Sequence, residues 1–337
     1  MKILLSSHAF SPAIGGIESV SELLAAEFVR QGHEVRLVTQ TLGPDKPEWP
    51  YRVLRQPDAR ALLGAVRWCD LFFHNNISLH VLWPLLCVRR PWAVVHQTWI
   101  TRMDGRLDWR DRLKRFLLRF AAANISISNA VARSLPVPSV LIPNPYRDDL
   151  FHAVPGVERT GDLVFLGRLV SDKGVDLLLQ ALRILKEEGL APRLSIIGGG
   201  PEAEPLQTLA WELGVAAQVD FAGPRSGPEL ARTLAAHRVM VVPSRWAEPF
   251  GIVALEGIAC GCGVVGSREG GLVDAIGPCG ISFPNGDVPA LAAALREALT
   301  RPDLSAQWAA RAPAHLAAHT ARAVASAYLS IFQQTLR

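Results

Sequence analysis

Short apolar runs alternate along this chain with longer stretches whose apolar positions recur at helical spacing. KILLSS opens as a strand, a loop with Gly15 and Gly16 follows, and IESVSELLAAEFVRQG carries Val20, Leu23, Leu24 and Phe28 on one helical face. Gly32 closes that helix and HEVRLVTQ returns as a strand. VLR, DLFFH, WAVVHQ, NISIS and SVLIP continue the series. A second series starts at DLVFLGRL and runs through VDLLLQALRILKEEG, RLSIIGGG, EAEPLQTLAWELG, VDFAG, GPELARTLAAH, VMVVPS, GIVALEGIACG and VVGS. Buried strands alternating with amphipathic helices predict parallel sheets covered on both faces. The expected fold is α/β with two doubly wound domains, over 1–145 and 146–317. The Pro-rich LIPNPYRDDLFHAVPGVERTG is the expected linker. A helix over about 318–337, anchored by Tyr328, Ile331 and Phe332, is expected to return to the first domain. Doubly wound sheets bind ligands at the carboxyl ends of their strands, so the main site is expected there, in a cleft between domains.

Composition narrows the function classes. The chain has 337 residues, 49% hydrophobic and 20% charged, with a net charge of +4. That is too mild a balance to call for nucleic acid, and no basic run carries the aromatic interleaving of a single-strand binder. MKILLSSHAFSP is too short in apolar residues for a secretory signal. Polar residues interrupt the uncharged run from Leu71 to Val88, so it does not read as a membrane span. Five cysteines at irregular spacing point to reduced thiols and a cytoplasmic location. Cys260-Gly261-Cys262 has no second pair to complete a zinc site and reads as a packed turn. G-x-G-x-x-G is absent, which argues against a dinucleotide-linked dehydrogenase.

The segment SRWAEPFGIVALEG places Glu248 and Glu256 on either side of Pro249-Phe250-Gly251. On one continuous helix, eight residues would leave the two side chains roughly 80° apart. VMVVPS reads as a buried strand, so Glu248 lies in the loop leaving its carboxyl end. Pro249 suits a first helical turn, and a helix is expected from Phe250 or Gly251 onward. Glu256 then sits inside the helix, and free N–H groups at its start suit a diphosphate.

These residues carry a resemblance. The sequence is similar to the retaining glycosyltransferases of family 4, whose GT-B fold pairs two Rossmann-like domains across a cleft. Their Glu-x7-Glu signature corresponds to Glu248-PFGIVAL-Glu256. Gly167-Arg168-Leu169 with Lys173-Gly174, and Gly15-Gly16-Ile17-Glu18, match two further elements. The resemblance implies that Glu248 faces the transferred sugar and Glu256 hydrogen-bonds the nucleotide ribose. Phe250, Gly251, Ile252 and Val253 would then approach the donor, Arg168 and Lys173 would meet its diphosphate, and His96 would lie near its sugar. Gly15, Gly16, Gly198 and Gly199 would let backbone approach the ligand.

Plainer readings stand beside these. Glu248 suits a helix N-terminus, Glu256 a solvated helix face, and Lys173 a turn. His96 can be a hydrogen-bonded strand-end histidine, and Gly198-Gly199-Gly200 a strand-to-helix turn. Where the family has Gly-Gly-x-x-Glu, this chain has Gly270-Gly271-Leu272-Val273-Asp274, one methylene shorter at the acid.

The resemblance implies a metal-independent, retaining hexosyltransferase with no cofactor. Its partners would be a UDP- or GDP-sugar donor and a glycan or lipid-linked acceptor, in bacterial surface polysaccharide or glycolipid synthesis. The alternatives are a sugar-nucleotide epimerase of the same fold and a non-catalytic sugar-nucleotide-binding protein. Thr101 to Phe120 holds seven basic and three acidic residues. Trp109, Leu113, Phe116 and Phe120 share a helical stripe, with Arg112, Arg115 and Arg119 on another. Such a helix either rests on an anionic membrane surface or turns its apolar stripe to the core.

Overall fold

The computed structural model describes residues 1–13, 15–101 and 106–336. The chain divides into two units, Met1–Pro145 with Thr320–Arg337, and Tyr146–His319. Each is built around one parallel sheet.

The first unit carries β1 (Lys2–Ser7), β2 (Glu34–Thr39), β3 (Arg52–Arg55), β4 (Leu71–Asn75), β5 (Trp92–His96), β6 (Ala123–Ser126) and β7 (Val140–Leu141). Their order is β3-β2-β1-β4-β5-β6-β7. Every residue of β4 and β5 is buried, as expected for strands covered on both faces. The helix Gly16–Arg30 is tied to the strand ends by polar contacts. Ser21 Oγ donates to Ser7 Oγ at 2.8 Å, and Asn75 Nδ2 donates to Ser21 Oγ at 2.5 Å.

The terminal helix, Ala321–Thr335, packs on Gly16–Arg30. Phe28, Phe73, Tyr328 and Phe332 form its core, with Phe73 and Phe332 ring centroids 5.0 Å apart. Tyr328 and Phe332 are fully buried, whereas Ile331 is only half-buried. The helical stripe runs through Val324, Ala325, Tyr328 and Phe332, which leaves Ile331 off its centre.

The second unit carries β8 (Gly161–Leu166), β9 (Leu194–Ile197), β10 (Val219–Gly223), β11 (His237–Val242), β12 (Gly263–Ser267) and β13 (Gly280–Phe283). Their order is β10-β9-β8-β11-β12-β13. In both sheets the order reverses beside the first strand, between β1 and β4 and between β8 and β11. Loops leaving those strands diverge there and open a crevice.

The expected linker is more structured than its composition implies. Ile142, Asn144, Tyr146 and Phe151 are buried, and Arg159 donates to the carbonyl oxygens of Cys260 and Gly261. Pro and polar residues there satisfy an irregular but packed backbone.

Phe332→Ala removes a fully buried ring from the aromatic cluster. It is expected to cost about 3–5 kcal/mol, read as a lower midpoint in urea denaturation.

Candidate functional site

The loops at the β8/β11 reversal bring three sequence-predicted residues together. After β8 the chain passes Gly167-Arg168-Leu169 and makes a short 3₁₀ turn, Ser171–Lys173, before the helix Val175–Glu187. Gly174 joins them in a left-handed conformation at φ 68°, and a Cβ there would lie 2.0 Å from the Pro243 carbonyl oxygen. Only glycine permits this approach of the β8 loop to the end of β11. Arg245 locks the same junction. Its N–H donates to Asp172 O at 2.9 Å, and its guanidinium forms a bidentate pair with Asp176.

The consequence is a direct ion pair. Lys173 Nζ donates to Glu248 Oε1 at 2.5 Å, and Ser244 Oγ donates to the same oxygen at 2.7 Å. Among the described residues no protein donor reaches Glu248 Oε2, so that oxygen keeps its acceptor capacity. The Glu248 backbone is held as well, its carbonyl accepting from Gly271 N–H at 2.6 Å. Gly270, at φ 100°, pairs with Glu248 in a single parallel bridge, and a Cβ there would lie 2.4 Å from Glu248 O. Arg168 is exposed and has no carboxylate partner among the described residues.

The second carboxylate differs in kind. The helix runs Ile252–Ala259, starting later than the sequence implies, and Pro249 lies outside its first turn. Gly251 explains the delay, since it sits at φ 101° and breaks the helical path. No side chain caps this helix, so the N–H groups of Ile252 and Val253 are available to an anion. Phe250 is buried and its ring faces His319 at 6.0 Å, leaving only backbone for a ligand here. Glu256 lies within the helix, and burial pushes its carboxyl up to about 7 against a modest opposing pull from Arg147. Glu256 is half-buried, where the plainer reading has it solvated.

The glycine run after β9 has an internal explanation. A Cβ on Gly198 would lie 1.8 Å from Gly167 O, and one on Gly200 would lie 2.3 Å from Leu169 O. These two loops are hydrogen-bonded back to back, through Gly167 N–H to Ile197 O and Leu169 N–H to Gly199 O. A Cβ on Gly199 would meet only Pro224.

In the first unit, Gly15 and Gly16 begin the helix Gly16–Arg30 at the β1/β4 reversal. A Cβ on Gly15 would strike the Glu18 carboxylate at 2.5 Å. His96 ends β5 and is buried. Asn124 Nδ2 donates to Leu118 O at 3.1 Å, which turns Asn124 Oδ1 toward His96 Nε2 at 3.3 Å. Nε2 therefore carries the proton and Nδ1 a lone pair. Burial lowers this imidazole to about 4, so it is neutral near neutral pH. His96 lines a cavity of about 150 Å³ with Asn76, Thr98 and Lys114.

The basic segment forms the helix Trp109–Leu117 and a 3₁₀ turn to Phe120; residues 102–105 of the segment lie outside the described residues. Its apolar stripe does not face the core. Trp109 is 68% exposed, Phe116 50% and Phe120 63%, while Leu117 and Leu118 supply the contact with the core. Among the described residues no helix is long and apolar enough to cross a membrane.

Sequence reasoning missed Ser244, Arg245 with Asp176, and the grip of Gly270-Gly271 on Glu248. Ser244 has a local signal, since it leaves the buried strand at the reversal point. Asp176 has none, because its partner lies 69 residues away.

Residues 148–315 match the family model of glycosyl transferases group 1. A GDP-mannose-dependent alpha-(1-6)-phosphatidylinositol monomannoside mannosyltransferase of Mycolicibacterium smegmatis is 30% identical, over 89% of this chain and 90% of that protein. A D-inositol 3-phosphate glycosyltransferase of Corynebacterium jeikeium is 36% identical over 52% of this chain, and the match spans only 44% of that protein. Sucrose-phosphate synthase from Thermosynechococcus elongatus shares the fold, with a TM-score of 0.82 and 22% identity over 99% of this chain and 98% of that one.

Glu256 carries a linked stability prediction. Its folded pKa is raised, so the folded chain holds this proton more tightly than the unfolded chain does. The resulting stability is present below the unfolded value near 4.5 and is lost as pH rises through about 7. Glu256→Gln is therefore expected to raise the melting temperature relative to wild type at about pH 8 but not at about pH 4.5. Parallel melting curves at both values check this.

Proposed function

The chain belongs to the group 1 glycosyl transferases, and from that premise we propose that it is a retaining hexosyltransferase. It moves a hexose from a UDP- or GDP-sugar to a glycan or lipid-linked acceptor, in bacterial surface polysaccharide or glycolipid synthesis. The donor occupies Tyr146–His319 and the acceptor the N-terminal unit. The observation that carries this reading is the Lys173–Glu248 pair, set beside the uncapped start of Ile252–Ala259 with Glu256 in the same helix. The long alignment with a GDP-mannose-dependent enzyme acting on a phosphatidylinositol mannoside supports a nucleotide-sugar donor and a lipid-linked acceptor.

The chemistry follows from charge. The donor diphosphate lies against the N–H groups of Ile252 and Val253, with Arg168 and Lys173 as its cations. Glu256 accepts the ribose hydroxyls, and Glu248 Oε2 accepts a hydroxyl of the transferred sugar. The bond between the anomeric carbon and the diphosphate oxygen breaks, and negative charge grows on the leaving group where the cations stand. The acceptor hydroxyl attacks from the face the diphosphate leaves, and its proton passes to the departing phosphate oxygen. Glu248 orients the sugar and supports positive charge at the anomeric carbon. No enzyme nucleophile and no metal enter the scheme.

The exposed stripe of Trp109, Leu113, Phe116 and Phe120 beside Arg112, Arg115 and Arg119 supports docking on an anionic membrane surface, from the cytoplasmic side. Aromatic rings enter the interface while the arginines meet lipid phosphates.

Lys173→Ala and Glu248→Ala are each expected to lower turnover of the donor by about 10²- to 10³-fold. The double variant should fall little further, because the two residues act as a pair. Unchanged turnover in both single variants would remove this mechanism, and a product of inverted anomeric configuration by NMR would remove retention. Vesicles of phosphatidylglycerol and phosphatidylcholine are expected to co-sediment the protein in a salt-sensitive way, with Trp109→Ala/Phe116→Ala abolishing it. Equal sedimentation of the variant would sink membrane docking through this helix.

A further inference from the structure

Glu248 is held through its backbone as well as through its side chain. Its carbonyl accepts from Gly271 N–H, and Gly271 starts a short helix, Leu272–Ile276. In the other direction the chain runs through Pro249 to Phe250, whose ring is buried. Two histidines meet both paths: His315, near the end of the helix Pro302–Ala317, and His319, just beyond it.

His315 Nε2 donates to Ala275 O, in the short helix, at 2.8 Å. His319 Nδ1 donates to His315 O at 2.8 Å, and its ring centre lies 6.0 Å from that of Phe250. Each partner is a carbonyl oxygen, which only accepts, so the protons lie on His315 Nε2 and His319 Nδ1. The two imidazoles meet with their centroids 4.6 Å apart. A ring of contacts therefore closes behind the acid, from Glu248 through Gly271, Ala275, His315, His319 and Phe250 back to Glu248. The fit is close. Gly277, at φ 52°, ends the short helix against His315, and a Cβ there would lie 2.4 Å from the imidazole Cε1. His319 is itself tied down, its carbonyl accepting from Tyr146 N–H at 3.2 Å. Tyr146 and His319 are the first and last residues of this unit, so the pair is anchored where the chain enters and leaves it.

We propose that His315 and His319 are positioning residues for the transfer step, which set the place of Glu248 by bracing both segments that leave it. An imidazole suits this task, because one ring offers an N–H to a backbone carbonyl and a flat face to the next ring. Misplacing a reacting group by about 1 Å can cost about 10²-fold in rate, so the bracing bears on turnover without touching the reacting atoms. This inference deepens the transferase reading and rests on it for the role of Glu248, though the bracing itself does not.

Two measurements separate the claims. In the first, donor turnover is followed in His315→Leu and His319→Ala. Each is expected to lower kcat by about 10- to 100-fold with the donor KM unchanged, the signature of an interaction that matters only in the transition state. His315→Gln, which keeps an N–H for Ala275 O, restores kcat. In a Glu248→Ala background neither variant lowers kcat further. An equal loss in that background, or a rise in KM at constant kcat, overturns the positioning role. The second measurement needs no donor: amide hydrogen exchange of the full chain, by NMR, follows Gly271 N–H, which is bonded to Glu248 O. Exchange there is expected to quicken about 10-fold or more in His315→Leu and His319→Ala and to match wild type in His315→Gln, with the amides of β8 and β11 unchanged. Wild-type exchange at Gly271 in all three variants overturns the bracing, and so does equal quickening throughout β8 and β11, which marks general loosening. Absence of any wild-type turnover defeats the transferase reading instead, and the exchange data then decide the bracing alone.

Discussion

The contact between Lys173 and Glu248 is the constraint on which the donor unit's loops depend. A lysine ammonium and a carboxylate taken largely out of water are each costly, and leaving either one unpaired is costlier still. Bringing them to 2.5 Å requires the β8 loop and the segment after β11 to touch, and side chains would normally keep those backbones apart. Gly174 removes the obstacle, Arg245 bonds across the gap to Asp172 and Asp176, and Gly270-Gly271 fix Glu248 from its other side. What the sequence shows as separate motifs is therefore one mechanical unit. The ammonium and the carboxylate each supply the other's compensating charge.

Topology explains why the chemistry gathers where it does. Each sheet reverses strand order beside its first strand, and there the outgoing loops part. In the second unit that point carries Lys173, Glu248 and the uncapped helix. In the first it carries the Gly15-Gly16 loop and Asn76, beside a cavity of about 520 Å³ that His8, Arg110 and Lys114 also line. The same arrangement, used twice, yields an acid-and-cation pair in one unit and a basic-lined cavity in the other. The fold supplies the crevices, and the side chains at their rims decide what enters them.

Much of this was legible in sequence because it is local. Strands such as LFFHN and WAVVH are buried on both faces and announce themselves as unbroken apolar runs, and the spacing of Val20, Leu24 and Phe28 marks a helix face. The Glu-x7-Glu spacing located both carboxylates. Long-range contacts were not legible: nothing near Asp176 foretells Arg245, and the role of Gly200 depends on a carbonyl 31 residues away, at Leu169. The start of the helix at Ile252 was misplaced because Pro249 favours a first turn, while Gly251 at positive φ overrides it. The basic helix was ambiguous for a different reason. An apolar stripe does not say which way it faces, and here Leu117 and Leu118, off that stripe, take the core-facing role while the stripe stays exposed.

The two glutamates of the signature sit in different surroundings, and the difference bears on the proposed holding of a donor. Glu248 has an ammonium and a hydroxyl on one oxygen, so its charge is already met by the protein. At Glu256 burial outweighs the opposing pull of Arg147, and the carboxyl is driven up to about 7. In the proposed reading a ribose diol would bring two hydroxyl donors to this carboxyl and offset part of the cost of its burial. Glu248, the proposed partner of the sugar, is instead fixed by Lys173, Ser244 and the Gly271 N–H. In the proposed reading one acid would hold the nucleotide through unmet need, and the other would orient the sugar through rigidity. Exchanging their surroundings would weaken both proposed roles while leaving both carboxylates in place.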